Sequence, residues 1–155
     1  MDKILLGGLM KYIKKYFPIF LPLILGTIIG LIINTDSYAT INKPILSPPS
    51  ILFPIVWSIL YLIMGYSYYK SSRNSDINKV YYIQLIINLT WSIIFFNFKL
   101  YFIAIIWIMV LIYFVVKMIK LFYKYNKLLG YINIPYLIWL LFALYLTISV
   151  YLLNK

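Results

Sequence analysis

Apolar residues fall in five long runs, at 17–34, 51–69, 80–98, 100–123 and 132–153, separated by short polar or charged stretches. A hydrocarbon core about 30 Å thick needs roughly 20 such residues at 1.5 Å each, so each run is long enough to cross it as a helix. Away from water a backbone satisfies itself as helix or closed barrel, and runs of this length favour helix. The pattern predicts an all-α membrane protein, a five-helix bundle in one domain spanning 1–155. Only a tight turn near Asn97, Phe98 and Lys99 separates the third and fourth runs. Those two helices are expected to be antiparallel neighbours. Lys11, Lys14 and Lys15 precede the first run as in a signal peptide, but the run is long for one and no small-x-small cleavage site follows it.

The connection 35–50 carries Pro44, Pro48 and Pro49, so it is not one continuous helix. A connection of this length is more often a lid or binding element than a tether, and a lid over the bundle is the expectation.

Several helix faces carry a second pattern. Gln84, Asn88, Trp91/Ser92 and Phe95 recur at helical spacing on the third run. Amides are costly in lipid, so this face is expected to point inward, as interhelical glue or as the wall of a cavity. Trp57, Tyr61, Met64/Gly65 and Tyr68 repeat the spacing on the second run, and Trp139, Ala143, Leu146/Thr147 and Val150 on the fifth. Trp57 and Trp139 sit about two turns, or roughly 10 Å, inside their runs. Either both anchor the membrane interface, or both face one apolar aromatic cavity suited to a large flat ligand. On the first run, Gly26 and Gly30 form a GxxxG pair, for a homodimer contact or for packing within the bundle.

Composition agrees with the pattern. Of the 155 residues 65 % are hydrophobic and 11 % charged, against about 45–50 % and 25 % in soluble domains. The formal charge of +11 does not point to nucleic acid, because the cations punctuate the apolar runs. Eleven Lys and Arg flank one side of the predicted bundle and three, Lys43, Lys99 and Lys155, the other. In a bacterial-type cell membrane this bias places the N-terminus in the cytoplasm and the C-terminus outside. There is no Cys or His, and the acids are Asp2, Asp36 and Asp76. That excludes disulfides, Cys or His metal sites and the usual axial ligands of haem. It also leaves no intramembrane carboxylate for proton coupling. No nucleophile–base pair stands out.

Three fragments then carry a resemblance. Lys43-Pro44-x-x-x-Pro48-Pro49 followed by Phe53-Pro54-x-x-Trp57-x-x-Leu60-Tyr61-x-x-Met64-Gly65 resembles the first loop and second helix of the translocator protein/tryptophan-rich sensory protein (TspO/MBR) family. Gln84-Leu85-x-x-Asn88-x-x-Trp91-Ser92-x-x-Phe95-Phe96, with Lys99 and Ala104, is similar to its third helix, and Pro135-Tyr136-x-x-Trp139-x-x-Phe142-Ala143 to its fifth. The resemblance implies a bundle that binds tetrapyrroles such as protoporphyrin IX or haem, sterol-like lipids or benzodiazepine-type compounds, and that often dimerises. It implies a pocket with Trp57, Trp139, Tyr38, Gln84, Asn88 and Ala143, under a loop carrying Lys43 and Pro44. Phe53, Tyr61, Trp91, Ser92 and Phe95 complete the expected site, and no cofactor is required. The implied roles are receptor or sensor, transporter of porphyrin or lipid-like amphiphiles, or light-dependent porphyrin breakdown involving the two tryptophans. Ser37, Leu46 and Thr147 depart from the family pattern. Leu146, Tyr151 and Lys155 fit a permissive cholesterol-recognition spacing.

Overall fold

A computed structural model describes residues 3–34, 40–71 and 74–155. The helices are α1 (Lys3–Ile32), α2 (Leu52–Ser71), α3 (Ser75–Ser92), α4 (Tyr101–Tyr125), α5 (Lys127–Ile132) and α6 (Ile134–Leu153). A π-helical turn, Ile93–Asn97, extends α3. Five stretches are long and apolar enough to span a membrane: α1 from Met10, α2, α3 with its π turn, α4, and α5 with α6. Among the described residues there is no strand.

The helices outrun the apolar runs where polar residues cap them. Asn74 accepts hydrogen bonds from the backbone N–H groups of Asp76 and Ile77 at 3.0 and 3.1 Å, so α3 starts at Ser75, ahead of its apolar stretch. Asn126 accepts from the Leu128 N–H at 2.9 Å and opens α5. The fifth span thus begins at Lys127 and breaks at Asn133, two residues before Pro135. α1 runs from Lys3, through a lysine-rich stretch that no proline interrupts before Pro18.

Around the bundle the spans follow the order first, second, fifth, fourth, third. α1 packs along α2, α3 along α4 and α4 along α6, while α1 touches α3 lightly. Ring contacts join α2 to α6, Phe53 with Trp139 and Trp57 with Tyr136. α4 supplies the most continuous core stripe, with Ala104, Ile108, Leu111, Val115, Met118 and Phe122 fully buried at helical spacing. α1 crosses α2 closely at Gly65, where a Cβ would collide with the Ile19 carbonyl. Gly26 faces the Tyr61 ring of α2 in the same way, whereas Gly30 has nothing within 4 Å. Half of the GxxxG pair is therefore used inside the bundle.

Lys99, in the turn between the third and fourth spans, has φ +53°. The left-handed residue completes a reversal begun by the π turn: Phe98 N–H donates to the Ile93 carbonyl, and past Lys99 the Leu100 N–H returns to the Ile94 carbonyl, both at 3.2 Å. Asn97 accepts from the Asn34 N–H at 2.7 Å, tying the end of the first span to this turn.

Candidate functional site

The first, second, third and fifth spans enclose a cavity of about 730 Å³, closed over in part by the loop before α2. Its size falls within the range usual for small-molecule sites, roughly 300–1,000 Å³. Three tryptophans from three spans line it, Trp57, Trp91 and Trp139, with Phe53, Phe95 and Phe96 beside them.

Each ring is held by another. Trp57 lies 5.4 Å from Tyr61 and 6.2 Å, edge-on, from Tyr136. Trp139 meets Phe53 edge-on at 5.9 Å and Phe142 at 5.6 Å. Trp91 stacks on Phe95 at 5.3 Å with 23° between planes. These separations are those of favourable aromatic pairs, so the wall is pre-ordered. Trp139 lies five residues, about 8 Å, into α6 beyond the break at Asn133. The fourth tryptophan, Trp107, is outside the cavity and donates its indole N–H to Thr90 Oγ1 at 2.9 Å.

The wall is sparsely polar. The Thr27 and Thr147 hydroxyls line the cavity but donate back to the Leu23 and Ala143 carbonyls of their own helices, at 2.8 and 2.7 Å. Lys43 brings one cation to the lining. Among the described residues, the buried indole N–H groups of Trp91 and Trp139 have no acceptor.

Gln84 and Asn88 do not line the cavity. They sit beyond its floor in a buried network. Tyr61 Oη donates to Asn88 Oδ1 at 2.7 Å, Asn88 Nδ2 donates to Tyr136 Oη at 2.8 Å, and Tyr136 Oη donates to Gln84 Oε1 at 2.9 Å. Gln84 Nε2 donates to Met64 Sδ at 2.7 Å. Two tyrosines and a methionine thus take up both amides, which explains why neither is offered to the cavity. Tyr61 belongs to both parts, its ring in the wall and its hydroxyl in the network.

Of the expected site, the structure brings Lys43, Phe53, Trp57, Tyr61, Trp91, Ser92, Phe95, Trp139 and Ala143 to one cavity and leaves out Pro44 along with the two amides. Pro44 instead forms a loop turn, its carbonyl accepting from the Ser47 N–H at 2.9 Å. Tyr38 and Ser37 lie outside the described residues. Leu46 points away from the cavity, 66 % exposed, and Thr147 is in the wall. Ser50, Ile51, Pro54 and Ser58 also enter the lining, and three larger contributors were missed in the sequence. The C-terminal part of α1, through Leu23, Gly26, Thr27 and Gly30, with Ile33 just beyond it, forms a whole side of the cavity. The regular glycine spacing was the available signal. Phe96 joins Phe95 in the wall at the π turn. The third is a clasp: Asn42 N–H donates to Asn154 Oδ1, and Asn154 Nδ2 donates to the Asn42 carbonyl, both at 2.9 Å. It pins the loop to the end of α6.

The TspO/MBR family model matches residues 18–153. Among curated proteins, the tryptophan-rich protein TspO of Chlorobaculum tepidum is 34 % identical, over 76 % of this chain and 78 % of its own length. The protein of the same name from Archaeoglobus fulgidus is also 34 % identical, over 76 % and 79 %. Protein CrtK of Rhodobacter capsulatus is 31 % identical, over 76 % and 78 %. With five helices able to span a bilayer and a family match covering nearly all of them, the chain is an integral membrane protein that belongs to the TspO/MBR family.

Proposed function

We propose that the protein is a membrane receptor or sensor that binds a tetrapyrrole, such as protoporphyrin IX or haem, in the cavity among the first, second, third and fifth spans. One observation carries the reading: three tryptophans from three helices converge on one apolar cavity of about 730 Å³. A flat macrocycle gains both buried area and offset stacking from such walls. Lys43 supplies a cation for a propionate. With no His or Cys in the chain, haem would be held through its ring and carboxylates or by a Tyr or Met ligand. Sterol-like ligands fit the same apolar lining.

The buried network favours binding over passage. Tyr61, Asn88, Tyr136, Gln84 and Met64 fill the centre of the bundle beyond the cavity floor. A ligand crossing through the bundle would have to break these bonds in a water-poor interior, where each orphaned group costs about 1–3 kcal/mol.

The test is titration of purified protein with protoporphyrin IX, read by tryptophan quenching and the porphyrin absorption band. Saturable binding is expected, weakened roughly tenfold in Trp57→Phe/Trp139→Phe, from about 0.5–1.5 kcal/mol of aromatic contact per ring. Partitioning equal to that of protein-free detergent would overturn the reading.

A further inference from the structure

The N-terminal part of α1 lies outside the family match, which starts at residue 18. It carries Lys11, Lys14 and Lys15, all exposed, with Tyr12 and Tyr16 between and beside them. At its junction with the bundle, Tyr16 packs on Tyr69 of α2 with ring centroids 5.6 Å apart. A cation sits over each ring of this pair: Lys15 Nζ is 5.3 Å from the Tyr16 centroid, and Lys70 Nζ is 6.0 Å from that of Tyr69. Lys70 is also 5.6 Å from the Tyr66 centroid. Two helices thus deliver two ammonium groups to one tyrosine pair. The sole carboxylate side chain among the described residues is that of Asp76, at the start of α3.

Depth identifies what these groups meet. From Ile32, at the end of α1, back to Tyr16 is about 24 Å of helix. From Leu52, at the start of α2, forward to Tyr69 is about 26 Å. Both distances approach the hydrocarbon thickness of a bilayer, about 30 Å. The tyrosine pair and its two lysines therefore reach the opposite membrane boundary together, where tyrosines favour the headgroup layer and lysines meet lipid phosphates.

We infer that Lys15 and Lys70, set on the Tyr16–Tyr69 pair, form a binding site for the headgroup of an anionic phospholipid in the leaflet at the N-terminal end of α1. Two cations on adjacent helices attract a phosphate more strongly than either does alone. The tyrosine rings limit the lysines' freedom and cover the glycerol region. The site lies at the far end of the bundle from the aromatic cavity and does not depend on what that cavity holds.

The full chain, reconstituted in phosphatidylcholine vesicles, is tested with spin-labelled phosphatidylglycerol and spin-labelled phosphatidylcholine, read as the relative association constant of the two. Phosphatidylglycerol is expected to be preferred, and Lys15→Gln and Lys70→Gln each to lower the preference about fivefold, following roughly 1 kcal/mol per cation near a membrane surface. Lys120→Gln/Lys124→Gln, at the same end of the bundle, is expected to keep most of it. All these side chains are exposed, and circular dichroism of each variant verifies the fold. Equal losses in both sets would overturn the site in favour of a diffuse positive field. Absence of any preference would overturn it outright, and displacement of the lipid by inorganic phosphate at constant ionic strength would reassign it to a free anion.

Discussion

At the scale of single residues, Tyr61 separates stability from binding. Its ring lines the cavity while its hydroxyl donates to Asn88 Oδ1, a buried acceptor. Tyr61→Phe keeps the ring and orphans the amide oxygen, which costs about 1–3 kcal/mol. The expected outcome is a lower unfolding midpoint in detergent with ligand affinity changed less than twofold, checked by thermal melts beside the porphyrin titration. Gly65 tests packing alone. A methyl group there meets the Ile19 backbone, which a side-chain rotation cannot relieve. Gly65→Ala is expected to destabilise by about 1–3 kcal/mol, in the range of overpacked cores, whereas Gly30→Ala, with open space around it, is expected to be near neutral. The sequence alone showed that Gln84 and Asn88 face inward, because amides avoid lipid. It did not show whether they serve a ligand or the protein, since that depends on the tyrosine hydroxyls that other helices bring within reach.

At the scale of elements, the length of the apolar runs predicted five helices, and five helices among the described residues are long and apolar enough to cross a bilayer, because bilayer thickness imposes length on any helix that crosses it. The ends were less legible, because caps set them. Asn74 and Asn126 extend α3 and the fifth span into polar sequence that an apolar window passes over. Asn74→Ala is expected to cost about 1 kcal/mol, a normal N-cap loss, read as a lower melting midpoint. The π turn was also hidden, because no residue type marks it, although it sets Phe96 beside Phe95 on the cavity wall. The prolines of the loop before α2 excluded one continuous helix, but its fastening was not legible, since the Asn42–Asn154 pair joins residues 112 positions apart. Asn154→Ala removes both sides of that clasp and leaves the cavity lining intact. Faster release of bound porphyrin is expected, by about fivefold if the clasp contributes about 1 kcal/mol to holding the loop down. Stopped-flow chase measures it, and an unchanged rate would mean that the ligand leaves by another route.

At the scale of the whole molecule, an odd number of spans predicts chain ends on opposite sides of the membrane, and charge predicts which is which. Lys11, Lys14, Lys15, Lys70 and Lys79 gather with Lys117, Lys120, Lys124 and Lys127 at the end of the bundle where α1, α3 and α5 begin. The cavity lies toward the other end, where Lys43 and Ile51 enter its lining. The positive-inside rule predicts a cytoplasmic basic end, with the cavity and its loop facing outward. The receptor would then sample ligand from the outer leaflet or the space beyond it, with the polar network between that ligand and the cytoplasm. The absence of any native cysteine makes the test direct. In intact cells, a membrane-impermeant maleimide is expected to label Leu46→Cys, on the exposed loop, and to leave Gly8→Cys unlabelled until the membrane is permeabilised. The reverse pattern would open the cavity to the cytoplasm, making the protein a receptor for porphyrin generated inside the cell, and the lysine-rich end would then face a compartment that the charge bias argues against.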